Sequence, residues 1–86
     1  MEVAFDENAL KDLKIWKQSG KKAVQKKIEK LILAIKESPY TGIGKPEALK
    51  YDLSGKWSRR INAEHRIVYQ IIDSKLFIYS LRGHYQ

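Results

Sequence analysis

The C-terminal part of the chain constrains the fold most. From Trp57 onward apolar residues alternate through "WSRRIN", "HRIVYQII" and "KLFIYSLR", and only the short links "AE" and "DS" separate these runs. A period of two means strands with two distinct faces. Links this short cannot cross a sheet, so successive strands are antiparallel neighbours. The C-terminal part is therefore a β-meander, and one of its faces needs an apolar cover.

The cover lies upstream. Asp6 is placed to cap a helix, with Glu7 in its first turn, where a carboxylate suits the helix dipole. Ala9, Leu10, Leu13 and Trp16 then recur at helical spacing, and Ser19-Gly20 ends the run. Val24, Ile28, Leu31, Ile32 and Ile35 form the stripe of a second, longer helix, with Lys22, Lys26, Glu29 and Lys30 off it. Two helices joined at a glycine make an αα-hairpin. "MEVAF" precedes them as a short strand. Between helices and meander, Pro39, Gly42, Gly44 and Pro46 mark a loop, with one short strand expected around Leu49–Leu53. The expected fold is α+β: a short strand, a two-helix hairpin, then a twisted antiparallel sheet, in the order β-α-α-β-β-β.

Eighty-six residues are enough for one domain with one core, spanning 1–86. With no cysteine there is neither a disulfide framework nor a thiolate metal site, and His65 and His84 have no zinc spacing. The N-terminus lacks the pattern of a signal peptide, and "LILAI", the longest apolar run, is far too short to span a membrane. These features fit a cytoplasmic protein. Seventeen Lys and Arg against ten Asp and Glu give a net charge of +7. A field of that sign attracts polyanions, so nucleic acid or a ribosome surface leads the partner classes, with a soluble domain bearing a solvated lysine face as the plain alternative.

Parity sorts the strands. In the middle strand Arg66, Val68, Gln70 and Ile72 share a face against Ile67, Tyr69 and Ile71. If the last strand stays regular, Leu76, Ile78, Ser80, Arg82 and His84 share one face, and Phe77, Tyr79, Leu81 and Tyr85 share the other. Tyr69 and Tyr79 then read as core. Arg66 opens its strand and His84 closes the next, so antiparallel pairing brings Arg66 close to Arg82 and His84. Arginine offers fixed donors that match phosphate oxygens, and imidazole exchanges a proton near neutral pH. Such a cluster suits an oxyanion or phosphate site; a solvated strand arginine and a frayed terminal histidine are the plain reading. Glu47, in "GKPEALK", and Glu64, in the turn "NAEH", are the candidate bases nearby. No glycine-rich phosphate loop and no nucleophile elbow is present.

The stretch "GIGKPEALKYDLSGKWSRRINAEHRIVYQI", together with the final "HY", resembles the YoeB/Txe-type toxins of the RelE/ParE superfamily. The resemblance covers about half of the chain in motif, and the helical half in layout. It implies a RelE-like fold and a toxin–antitoxin toxin that cuts mRNA in the ribosomal decoding site, with no metal and no cofactor. It implies Glu47 as general base, Arg66 as the transition-state arginine and His84 as general acid. Lys50, Arg60 and Tyr85 fall on supporting positions, and Lys45 on a weaker one. The nucleophile would be the RNA's own 2′-OH. The implied partners are the ribosome with its mRNA, a cognate antitoxin with an acidic, partly disordered segment, and a second copy in a homodimer. Two rivals remain: a non-catalytic RNA- or ribosome-binding module, and a gyrase-inhibiting toxin of the same superfamily. Gln86 lies one residue past the terminal tyrosine usual in the family, and Gly83 gives permissive backbone beside the histidine.

Overall fold

The computed structural model describes residues 1–84, with only the backbone of His84. The elements are β1 (Glu2–Phe5), α1 (Glu7–Ser19), α2 (Lys22–Glu37), β2 (Glu47–Ala48), a 3-10 turn (Tyr51–Leu53), β3 (Trp57–Arg60), β4 (His65–Ile72) and β5 (Lys75–His84). The expected order and the antiparallel β3–β4–β5 meander are observed. Among the described residues the sheet has five strands, ordered β1-β5-β4-β3-β2, and β1 joins β5 in parallel. Alternation in "MEVAF" reports a strand but not its direction; the helical hairpin between β1 and the meander supplies the long return that parallel pairing needs. The short strand after the loop comes earlier than expected, at Glu47–Ala48, and Tyr51–Leu53 forms the 3-10 turn instead.

Asp6 occupies the N-cap of α1 with extended backbone, and its carbonyl accepts from Leu10 N–H at 2.9 Å. Gly20 ends the helix at φ 73°, in the left-handed region that glycine occupies without strain. α1 buries Ala9, Asp12 and Trp16. Leu10, expected on that face, is 52% exposed, because one residue of helix turns it about 100° away from the stripe. α2 buries Ile28, Leu31 and Ile35, as its spacing requires. These side chains meet Ile67, Tyr69, Leu76, Ile78 and Leu81 from the sheet. Each fully buried aliphatic contributes roughly 1.5–3 kcal/mol.

β4 keeps the expected parity, but β5 does not. Tyr69 pairs with Ile78, Val68 with Ser80 and Arg66 with Gly83, so β5 carries extra residues at two register shifts. A bulge adds a residue to one strand and reverses the alternation beyond it. Leu81 therefore joins Leu76 and Ile78 in the core. Tyr79, read as core from parity, faces the open side instead, where its hydroxyl meets Gln70 Oε1 at 2.9 Å and Lys56 Nζ lies 4.1 Å from its ring centroid.

Tyr69 is fully buried among the core residues. Its hydroxyl donates to the Pro39 carbonyl and accepts from Arg59 Nε at 3.3 Å. Burial pushes its phenol above the ordinary 10.0, against a lowering by the hydrogen bond and charge of Arg59. The folded state thus favours the protonated phenol. That stability is complete below the unfolded pKa and is lost as pH rises through the raised folded value. Urea unfolding followed between about pH 9 and 11 is expected to show falling stability for the wild type and a flatter profile for Tyr69→Phe. Equal slopes would refute this assignment.

Candidate active site

The helices cover one face of the sheet. The other face carries Ser58 and Arg60 from β3, and Arg66 and Val68 from β4. β2 adds Glu47 opposite Ser58. The register therefore sets Glu47 beside Ser58, and Arg60 beside Arg66, with Gly83 on the far side of Arg66.

Arg66 Nη1 donates to Glu47 Oε2 at 3.0 Å and to Ser58 Oγ at 2.9 Å. The arginine side chain is 8% exposed, whereas the carboxylate is 57% exposed. The guanidinium is held in the sheet surface while its partner carboxylate remains open to solvent. A half-exposed pair of this kind adds little stability, so its consequence is geometric: it fixes a charged donor against an accessible carboxylate. Arg60 stands directly opposite Arg66 in the β3–β4 ladder. Two opposed cations repel and concentrate positive potential, which an anion such as a phosphate relieves.

The sequence-predicted residues separate into three groups. Glu47 and Arg66 are in contact, and Arg60 joins them through the register. The expected proximity of Arg66 to the end of β5 is observed in the backbone: Arg66 pairs with Gly83, and His65 with His84. The His84 side chain and Tyr85 lie outside the described residues. Lys45 and Lys50 are exposed on either side of β2, Lys45 at φ 53° and Lys50 at the N-cap of the 3-10 turn. Glu64, the other candidate base, is exposed in the β3–β4 turn, on the far side of Arg60 from Glu47. Gly83 is crowded: a Cβ there would lie 3.0 Å from Ser80 Oγ and 3.3 Å from the Arg66 carbonyl oxygen.

Two contributors escaped the sequence reading. Ser58 is two residues before Arg60, so parity could have placed it on the same face. Arg59 carried no signal, because a buried arginine cannot be told from an exposed one by type. It is fully buried and donates to the carbonyls of Ser38, Ile43 and Thr41, the last two at 3.2 and 2.9 Å. These bonds pin the loop that leads to Glu47. Gly44 passes so close that a Cβ would lie 2.8 Å from Leu31 Cδ2, and its φ of 82° suits glycine alone.

The sequence and fold have close counterparts. Residues 5–85 match the family model of the YoeB-like toxin of bacterial type II toxin-antitoxin systems. The toxin YoeB of Synechocystis is 54% identical over 86 residues, covering all of this chain and 99% of its own. The structure of the YoeB/ParE toxin from Agrobacterium tumefaciens superposes with TM-score 0.92 at 40% identity, covering 99% of this chain and all of its own. Staphylococcus aureus YoeB in a heterotetrameric YoeB–YefM complex superposes with TM-score 0.88 at 42% identity, covering 99% of this chain and 98% of its own. The chain belongs to the YoeB-like toxin family of bacterial type II toxin–antitoxin systems.

Proposed function

We propose that the protein is a ribosome-dependent mRNA endoribonuclease acting through Glu47, Arg66 and His84. The observation that carries this reading is the accessible Glu47 carboxylate held against the Arg66 guanidinium on the open sheet face, with the backbone of His84 one residue past the Arg66–Gly83 pair. Glu47 takes the proton of the RNA 2′-OH. The 2′-oxygen attacks the adjacent phosphorus, forming a new O–P bond as the P–O5′ bond breaks. Arg66, supported by Arg60 and Lys50, stabilises the charge that builds on the phosphoryl oxygens. His84 donates the proton that the leaving 5′-oxygen acquires. The products are a 2′,3′-cyclic phosphate and a free 5′-hydroxyl. Tyr85 and Lys45 serve substrate binding.

The setting is the cytoplasm, where ribosomes and mRNA are. No helix among the described residues is long and apolar enough to cross a membrane. A cognate antitoxin whose acidic segment covers the basic face would silence the site. The YoeB–YefM assembly of the S. aureus relative favours such a partner, and a relative from the same organism forms a dimer.

Primer extension on mRNA in a translating extract tests the reading. Wild type is expected to leave defined cuts inside codons, and His84→Ala to slow cutting by about 10²–10⁴-fold, the usual contribution of acid–base catalysis. Stalling without cuts would show a binding module. Intact mRNA with lost gyrase supercoiling would show the other class of toxin.

A further inference from the structure

We infer that Asp12 and Trp16, on α1, are positioning residues that hold the end of β5 and thereby set where His84 stands; this rests on the catalytic reading above. The backbone of β5 poses the problem that they solve. Between the Val68–Ser80 and Arg66–Gly83 pairs, Leu81 and Arg82 face the single residue Ile67. A bulge of this kind takes backbone groups out of the ladder, and buried N–H and C=O groups need partners. The helix provides them. Asp12 Oδ2 accepts from Leu81 N–H at 2.9 Å and from Arg82 N–H at 3.2 Å. Trp16 Nε1 donates to the Leu81 carbonyl at 2.7 Å.

Asp12 is only 8% exposed and sits on the buried stripe of α1, between Ala9 and Trp16, where packing alone favours an apolar residue. Its carboxylate makes charge-assisted bonds, which are stronger than neutral ones. Trp16, 4% exposed, also meets the His65 ring edge-on, with centroids 5.0 Å apart and planes at 90°. His65 is the residue opposite His84. Trp16 therefore touches β5 at Leu81 and the strand that pairs with His84 at His65. The clamp begins three residues before the candidate acid, on a strand that has just slipped its register twice. Without it the last residues of β5 have freedom to shift along β4, and a shift of about 1 Å in a catalytic group can cost about 10²-fold in rate.

The test compares Asp12→Ala, Asp12→Asn and Trp16→Phe with wild type, by cleavage of mRNA on programmed ribosomes and by amide hydrogen exchange of the free protein. Asp12→Ala is expected to lower kcat by about 10²-fold with KM unchanged. Its exchange at Leu81 through His84 should quicken relative to Ile67 and Leu76 in the strand centres. Asp12→Asn keeps one oxygen able to accept both bonds and should recover most of the rate. Trp16→Phe keeps the aromatic packing but loses the donor, so it should behave as a milder Asp12→Ala. The proposal is overturned if wild type cuts and Asp12→Ala cuts equally fast. It is also overturned if exchange quickens uniformly through β4 and β5 and Asp12→Asn rescues nothing, since Asp12 then serves overall stability alone. If wild type itself does not cut, the catalytic reading fails, and exchange decides the clamp separately: selective opening at residues 81–84 upholds it, and unchanged protection there overturns it.

Discussion

Arg66→Ala is expected to lower kcat for ribosome-bound mRNA by about 10²–10³-fold, the loss seen when one preorganised donor to a developing oxyanion is removed. On the proposed mechanism the effect should fall on kcat more than on KM, because the guanidinium would act on charge that appears only in the transition state. Arg66→Lys should recover little. A lysine ammonium is a point charge with three donors, so holding Glu47 and Ser58 leaves it at most one for a phosphate and no planar fork to match the phosphate oxygens. Glu47→Gln is the companion variant: it keeps a side chain able to accept from Arg66 and loses the proposed base. Single-turnover cleavage on programmed ribosomes would separate chemistry from binding. Cleavage by Arg66→Ala within a few-fold of wild type would remove Arg66 from the mechanism. Circular dichroism on the same samples guards against unfolding, since Arg66 is buried and its loss leaves the Ser58 hydroxyl and Glu47 carboxylate without this partner.

Arg59→Met is expected to destabilise the fold by about 3–5 kcal/mol, because it breaks a buried hydrogen-bond network around a charged donor. That is a large share of the roughly 5–15 kcal/mol that holds a domain together. The cause is the carbonyls of Ser38, Thr41 and Ile43, which turn towards a guanidinium that would no longer exist. Each stranded acceptor costs about 1–3 kcal/mol if water cannot reach it. The neighbouring variant, Arg60→Met, is the control. Arg60 lies on the open face opposite Arg66, and its loss should change the urea midpoint little while weakening cleavage. Equal stability losses in the two variants would contradict the assignment of one arginine to the core and the other to the site. Because the Arg59 bonds hold the loop before Glu47, the Arg59 variant should also lose activity under conditions where it remains folded.

The adjacency of Arg59 and Arg60 shows where sequence reading stops. Both are strand arginines in "WSRRI", and alternation alone says that they face opposite ways. It does not say that one guanidinium will be buried, because burial depends on the carbonyls that a distant loop turns towards it. The choice of base was open for a related reason. Glu47 and Glu64 both lie near the site in sequence, and the pairing of a two-residue strand with Ser58 brings one of them to Arg66. The reading of Tyr79 as core failed because Tyr79 alternates with Leu76 and Ile78, which take the core face, while Leu81, grouped with it by parity, reaches the core only because β5 slips its register in between.

Residue order alone determined the helical hairpin, the antiparallel meander, the open sheet face and the meeting of Arg66 with the end of β5. All of these follow from local periodicity and from turns too short to allow another connection. The tertiary structure decided the parallel seat of β1, the bulges in β5, the burial of Arg59 and the grip of Asp12 and Trp16 on Leu81. Asp12 and Leu81 are 69 positions apart, and no periodicity links them. Such contacts exist because a slipped strand leaves backbone groups that need partners, and the helix packed against it is the element that can supply them.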